Sequence, residues 1–162
     1  MTDILILTTG GTIDKLYFDA LSEYQIGDSV VGRLLQTARV AQEVRIVELM
    51  RKDSLELTDE DRAAIGAAVA GAAERRIVIT HGTDTMADTA RTIAGDVGDK
   101  TVVLVGALAP ARFADSDAVF NLGMAVAAVQ TAGPGVFIAM NGTIFGGTRV
   151  RKDRAANRFV AV

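Results

Sequence analysis

Short apolar runs rich in β-branched residues, separated by segments of helical spacing, constrain this chain's fold more than any other feature of the sequence. The runs occupy residues 4–7, 44–49, 77–79, 102–105 and 136–140. Their brevity and unbroken apolarity read as strands buried on both faces. Between them, Val31, Leu34, Leu35 and Ala38 recur at i, i+3, i+4 and i+7, the spacing of one helical face. A second helix is predicted from about Thr58, where Thr58 and Asp61 match a capping box and Asp59 and Glu60 suit the positive helix start. Ile65, Ala68, Val69 and Ala72 mark its inner face, and Arg75 and Arg76 suit its end. Further helices are predicted from Thr85 to about Ala94 and over 116–130, the latter carrying Val119, Leu122, Gly123, Val126 and Val129. Strands alternating with helices predict a three-layer α/β/α fold, a mostly parallel sheet with helices on both faces and right-handed crossovers. Residues 141–162 read as a hairpin with Gly142, Gly146 and Gly147 at its turns.

At 162 residues the chain fits a single domain, 1–162. With no cysteine it has no disulfide, thiolate nucleophile or zinc–thiolate site, and His81 is its only histidine, so no multi-histidine metal site is expected. The net charge of -3 disfavours nucleic acid as a partner, because binding a polyanion takes many cations. The exception is local: Arg149, Arg151, Lys152, Arg154 and Arg158 surround only Asp153, a run that reads first as a solvated strand and tail. The first residues, Met1-Thr2-Asp3, lack the basic segment of a secretory signal, and no apolar stretch approaches the ~18 residues of a membrane span. A cytoplasmic protein without membrane contact is the expectation.

In an open parallel sheet, ligands bind beyond the carboxyl ends of the strands. There the first strand is followed by Thr8-Thr9-Gly10-Gly11-Thr12 and the third by Thr80-His81-Gly82-Thr83-Asp84-Thr85. Glycines let backbone approach a ligand, and a following helix start offers free N–H groups. No dinucleotide or Walker pattern is present, which weakens a nucleotide reading. No Gly-x-Ser-x-Gly elbow accompanies His81, which reads first as structural. A threonine nucleophile remains; its hydroxyl needs a base, such as a tyrosine or a lysine kept neutral by its surroundings and oriented by a carboxylate. Thr12, Tyr24, Thr83, Asp84 and Lys152 are the candidates. The long connection from Gly10 to Gly27 has neither helical period nor a clean strand, yet holds Tyr17, Phe18 and Tyr24, as lids and binding loops do. A flexible lid over about 13–27 is expected.

The segments Thr9-Gly10-Gly11-Thr12-Ile13 and His81-Gly82-Thr83-Asp84-Thr85-Met86 resemble the two signature motifs of the bacterial-type L-asparaginase family, amidohydrolases with a threonine nucleophile. Ser22-Glu23-Tyr24 is similar to the family's flexible-loop tyrosine segment, and 53–58 to its substrate-carboxylate loop. Gly106-Ala107, Asp117, Phe120-Asn121, Met140-Asn141 and Val150-Arg151-Lys152 also fit in order. The resemblance covers nearly the whole chain, but only as the family's N-terminal domain, a flavodoxin- or Rossmann-like α/β unit. It implies Thr12 as the attacking hydroxyl, Tyr24 as its activating partner and an aspartyl ester hydrolysed by water, with no cofactor. It implies that Lys152 acts on the proton of Thr83, that Asp84 also holds the substrate ammonium, and that Ser54 binds the α-carboxylate. The Thr83 N–H is a candidate oxyanion donor. The implied partners are L-asparagine, its product L-aspartate and, weakly, L-glutamine.

The resemblance also departs from the family. A second domain, which in the family's dimers lends an acidic residue to a neighbour's site, is not matched; a short-chain form is therefore expected, with Glu23 or Asp19 as replacement acid. Leu55 stands where the family often has a polar residue, and Arg112 or Arg149 could compensate electrostatically. A homo-oligomer, dimer or tetramer, is expected, with the alanine-rich helix face from Ala63 to Ala73 available for packing. The alternative to an enzyme is a catalytically weak or silent amino-acid-binding or sensor domain of the same fold; a flavodoxin-like nucleotide binder is a third reading.

Overall fold

The computed structural model describes residues 2–162, apart from the side chain of Asp19. Its elements are β1 (Ile4–Gly10), β2 (Lys15–Phe18), β3 (Glu23–Ile26), α1 (Val31–Thr37), β4 (Val44–Lys52), α2 (Asp59–Gly71), β5 (Arg76–Thr80), α3 (Met86–Ile93), β6 (Thr101–Val105), α4 (Ala118–Thr131), β7 (Gly135–Met140), β8 (Thr143–Gly146), β9 (Val150–Asp153) and β10 (Arg158–Ala161). Six strands form one sheet in the order β4-β1-β5-β6-β7-β8. The first five run parallel and β8 pairs antiparallel to β7.

Because successive side chains on a strand point to opposite faces, a strand covered on both sides must be apolar throughout. Leu5, Leu7, Ile77, Ile79, Val102 and Leu104 face α2 and α3, with Ile65, Val69, Ala90 and Ile93 packed against them. Ile4, Ile6, Val78, Val103 and Val105 face α1 and α4, against Val31, Leu122, Val126 and Val129. This is the three-layer α/β fold read from the sequence. Among the described residues, no helix is long and apolar enough to cross a membrane.

Four local expectations are corrected. Residues 44–49 belong to an edge strand rather than a fully buried one, and Ile46 is 41% exposed; a continuous apolar run does not distinguish an edge from a centre. Thr58 and Asp61 do form the capping box of α2, but Arg75 does not close that helix. It pairs with Asp99, and Arg76 already belongs to β5. The segment after 140 contains two hairpins. Asn141 and Gly142, both at positive φ, make the tight turn that returns β8 along β7. β9 and β10 form a separate pair, docked on the core through buried Val150 and Phe159, so the basic tail is an anchored ribbon. Finally, the connection after Gly10 contains a β-hairpin, β2 with β3, in which Tyr17 lies opposite Tyr24. Each strand has only four residues and a largely exposed surface, so no alternation of polarity betrays it.

Candidate active site

Two loops meet at the carboxyl ends of the central strands. β1 runs into a 3-10 turn, Thr12–Asp14, through Gly10 and Gly11, both at positive φ. A side chain on Gly11 would stand 2.4 Å from the backbone nitrogen of Gly82, and one on Gly82 would stand 2.6 Å from Cβ of Ser54. Absence of side chains at Gly11 and Gly82 therefore lets three loops close on one another. Thr12 and Thr83 are the residues that directly follow these abutting glycines. Thr9 Oγ1 donates to the carbonyl of Thr80 at 2.7 Å, tying the loop bases together.

Thr83, Asp84 and Lys152 form one hydrogen-bonded group. Lys152, near the end of β9 and 12% exposed, places Nζ 2.8 Å from Thr83 Oγ1 and 2.9 Å from Asp84 Oδ1. Thr83 is buried and Asp84 half-buried, so the ion pair is partly shielded from water. Arg154 adds a second cation 3.6 Å from the same Asp84 oxygen, a partner the sequence did not suggest. Ser54 is buried beside them. Its hydroxyl oxygen accepts the N–H of Thr85 at 3.3 Å, and its carbonyl accepts the Thr85 hydroxyl at 2.8 Å. Next to it, Asp53 takes the N–H of Leu55 and an ion pair from Lys15 at 3.3 Å. Burial alone would raise the Asp53 carboxyl, but those two donors outweigh it and hold the group below the usual carboxylate range. Leu55 itself is 64% exposed.

Thr12 and Tyr24 line one cavity of about 340 Å³ with Lys15, Leu108, Pro110 and Phe113. Tyr24 is half exposed, and its ring meets those of Tyr17 and Phe113 edge-on, with centroids 5.4 and 5.9 Å away. Thr83, Asp84, Lys152 and Ser54 lie outside this cavity's walls; the glycine contact is what joins the two halves. A cleft of about 420 Å³ at the amino ends of the strands, bordered by Asp3, Arg75, Arg76 and Asp99, holds none of the candidate residues. Asp117 accepts the N–H groups of Leu108 and Ala109, and Asn121 donates to Asp117 and to the carbonyl of Gly106. The residues matched after β6 thus brace one wall of the Thr12 cavity.

The hairpin carrying Tyr24 is held at its base. Arg112 donates from Nη1 to the carbonyls of Asp14 and Lys15, at 2.9 and 3.3 Å, and from Nη2 to that of Asp28 at 3.0 Å. Buried Asp14 accepts the N–H of Val30 at 3.0 Å. Burial raises its carboxyl above the ordinary range, opposed by that N–H, by Ser29 and by the charge of Arg112. Arg112 is therefore a backbone clamp, and Arg149 is exposed just before β9. Glu23 hydrogen-bonds with Gln25 on the strand face opposite Tyr24, and the Asp19 side chain lies outside the described residues. The clamp was missed because Arg112 and Asp14 are 98 residues apart.

A family profile described as Asparaginase, N-terminal, matches residues 3–160. The L-asparaginase of Thermococcus kodakarensis is 35% identical over 92% of this chain and 47% of that protein. The glutaminase-asparaginase of Pseudomonas fluorescens biotype A is 31% identical over 94% of this chain and 46% of that protein. The solved structure of the Thermococcus kodakarensis enzyme superposes with a TM-score of 0.85 over 99% of this chain and 51% of that one, at 31% identity. The chain thus spans about half the length of the curated relatives it matches. Profile, relatives and fold agree: the chain belongs to the asparaginase family and matches that family's N-terminal domain.

Proposed function

We propose that the chain is an L-asparagine amidohydrolase that works through a threonine-linked aspartyl ester. The observation that carries this reading is the placement of Lys152 Nζ 2.8 Å from Thr83 Oγ1 and 2.9 Å from Asp84, against the loop that bears Thr12. Thr12 Oγ1 forms a bond to the side-chain amide carbon. Its proton passes by way of the Tyr24 hydroxyl to the amide nitrogen, the C–N bond breaks, and ammonia leaves. Water then attacks the ester carbon, giving its hydroxyl to the product and returning a proton to Thr12. In that step the Thr83 hydroxyl, whose oxygen accepts a hydrogen bond from the Lys152 ammonium, orients the water.

Binding falls to the surrounding groups. The Ser54 oxygen accepts the Thr85 N–H, which leaves the Ser54 O–H to donate to the substrate α-carboxylate. Asp84 holds the α-ammonium. Glutamine is one methylene longer, a difference worth about 1–3 kcal/mol in a small pocket, so weak glutaminase activity accompanies the main one. The hairpin at 15–26 acts as the lid of this unit, which assembles as a dimer or tetramer in the cytoplasm. Exposed alanines 63, 64, 67 and 70 of α2 offer one packing face.

The test is ammonia release from L-asparagine and L-glutamine by the purified chain beside Thr12→Val. Release by the wild type that vanishes in the variant supports the proposal. A second reading is an amino-acid-binding domain of the same fold, in which Asp84 and Ser54 hold a ligand without turnover. L-aspartate binding without ammonia release from either protein would support it instead.

A further inference from the structure

His81 is fully buried and belongs to neither hydrogen-bonded half of the site, yet both ring nitrogens are engaged. Nδ1 lies 2.7 Å from the carbonyl oxygen of Gly82, and Nε2 lies 2.7 Å from Thr89 Oγ1. A carbonyl can only accept, so Nδ1 carries the proton. Nε2 is then bare, and the Thr89 hydroxyl donates to it. The Thr89 oxygen in turn accepts Arg62 Nε at 3.1 Å, and Arg62 Nη1 donates to the carbonyl of Leu57 at 3.2 Å. Each donor in this chain has one acceptor, and the sequence Arg62–Thr89–His81–Gly82 has one direction.

In a trans peptide the carbonyl and the N–H point to opposite sides of the plane. The carbonyl of Gly82 and the N–H of Thr83 share one peptide. Fixing that carbonyl on the buried imidazole therefore turns the Thr83 N–H away from His81. Among the described residues this N–H donates to no backbone acceptor, whereas the next-but-one N–H, that of Thr85, is taken by Ser54. We infer that His81 is a positioning residue, which, through the Gly82 carbonyl, turns the Thr83 N–H away from the buried ring to serve as an oxyanion donor. This rests on the amidohydrolase reading above; His81 itself touches no reacting atom. It also gives Arg62 a second task, since one guanidinium reaches the end of the 53–57 loop and the relay behind the 81–84 loop.

Two substitutions separate positioning from packing. His81→Asn keeps a nitrogen donor near Nδ1 and gives up the contact with Thr89. His81→Gln keeps a polar group near Nε2 and gives up the donor to Gly82. Misaiming an oxyanion donor costs less than removing one, which costs about 10²–10³ in rate. His81→Asn should therefore keep kcat for L-asparagine within about threefold. His81→Gln should lose roughly 10–100-fold in kcat with KM within about twofold. Packing alone predicts the reverse order, because Asn leaves the larger void. Equal losses in the two variants, or a greater loss in Asn, overturn the inference.

Should either variant fail to fold, Thr89→Val against Thr89→Ser applies the same logic one step back: Ser should restore the kcat that Val loses, and equal values for the two overturn it. A readout free of turnover keeps the two proposals apart. In the wild type, imidazole 15N shifts should report an Nδ1-protonated ring. The Thr83 amide resonance should move in His81→Gln and stay near its place in His81→Asn. An Nε2-protonated ring, or a Thr83 amide indifferent to both changes, overturns the anchoring. Absence of ammonia release from the wild type would count against the amidohydrolase reading alone.

Discussion

Residues 80–85, which carry Thr83 and Asp84, and residues 15–26, which carry Tyr24, are built in opposite ways. The first segment continues a central strand, is mostly buried, and is held from several sides: by Val105 on the His81 N–H, by Thr9 on the Thr80 carbonyl, by Ser54 on Thr85 and by Lys152 on Thr83. The second is a two-stranded ribbon whose tip is exposed, with Tyr17, Phe18, Leu21 and Tyr24 each at least 41% accessible. Its polar ties are at its base, through Arg112, Asp14 and the Lys15–Asp53 pair, and Tyr24 adds an edge-on contact with Phe113. A lone two-stranded ribbon has little stability of its own. Preorganisation and motion are thereby divided: the Thr83–Asp84–Lys152 group sits on a floor that cannot move without disturbing the core, while Tyr24 sits on a part that can.

The largest expected effect strikes the floor. Lys152→Met removes the shared donor of Thr83 and Asp84 and should lower kcat by about 10²–10³, the range of general acid–base assistance, with folding retained in circular dichroism. A loss under about tenfold would mean that Lys152 only pairs with Asp84.

Next is the pH dependence of stability, to which buried His81 in the floor contributes. Burial, aided by the charge of Arg62 and opposed by the Gly82 carbonyl and by Asp88, pushes the His81 imidazole down to about 4. Between about 6.5 and 4 the unfolded chain binds a proton that the folded chain does not. Stability contributed by neutral His81 is thus complete above pH 6.5 and falls by up to about 3 kcal/mol as pH drops to 4. Glu74, held down to about 2 chiefly by Arg45 and then Thr2, adds its own loss at lower pH, below about 4.5. Urea titrations of the wild type and His81→Asn should differ in slope over pH 4–6.5 and run parallel above it. Parallel curves throughout would mean that His81 titrates in the fold as it does in the open chain.

The smallest effects belong to the β2–β3 hairpin. Tyr24→Phe should lower kcat about tenfold with KM within about threefold, since the ring still packs on Tyr17 and Phe113. Arg112→Ala loosens the base and should cost roughly 1–2 kcal/mol of stability. If Arg112→Ala proved worse for turnover than Lys152→Met, the division into floor and hairpin would be wrong.

Sequence and structure agree best where the physics is local or repetitive. The parallel sheet was legible because strands buried on both faces must be apolar at every position, and the α2 start because Thr58 and Asp61 are three residues apart. Edge strand β4 read as buried, since apolar content alone does not reveal what lies beyond a strand. The β2–β3 hairpin stayed hidden because its strands are short and face water on most sides. In the site, the two threonine loops stood out by their glycines. The approach of Lys152 to Thr83 spans 69 residues and followed only from the family resemblance. Arg154, Arg112 and the Arg62–Thr89–His81 relay gave no local signal, because each depends on distant segments meeting.

The central claim is that Thr12, and not Thr83, is the residue that carries the acyl group. Acid quenching during turnover of L-asparagine, followed by peptide mass spectrometry, tests it most directly. An aspartyl adduct is expected on the peptide containing Thr12 and is expected to be absent from Thr12→Val. An adduct on the peptide containing Thr83, or one that persists in Thr12→Val, would contradict it.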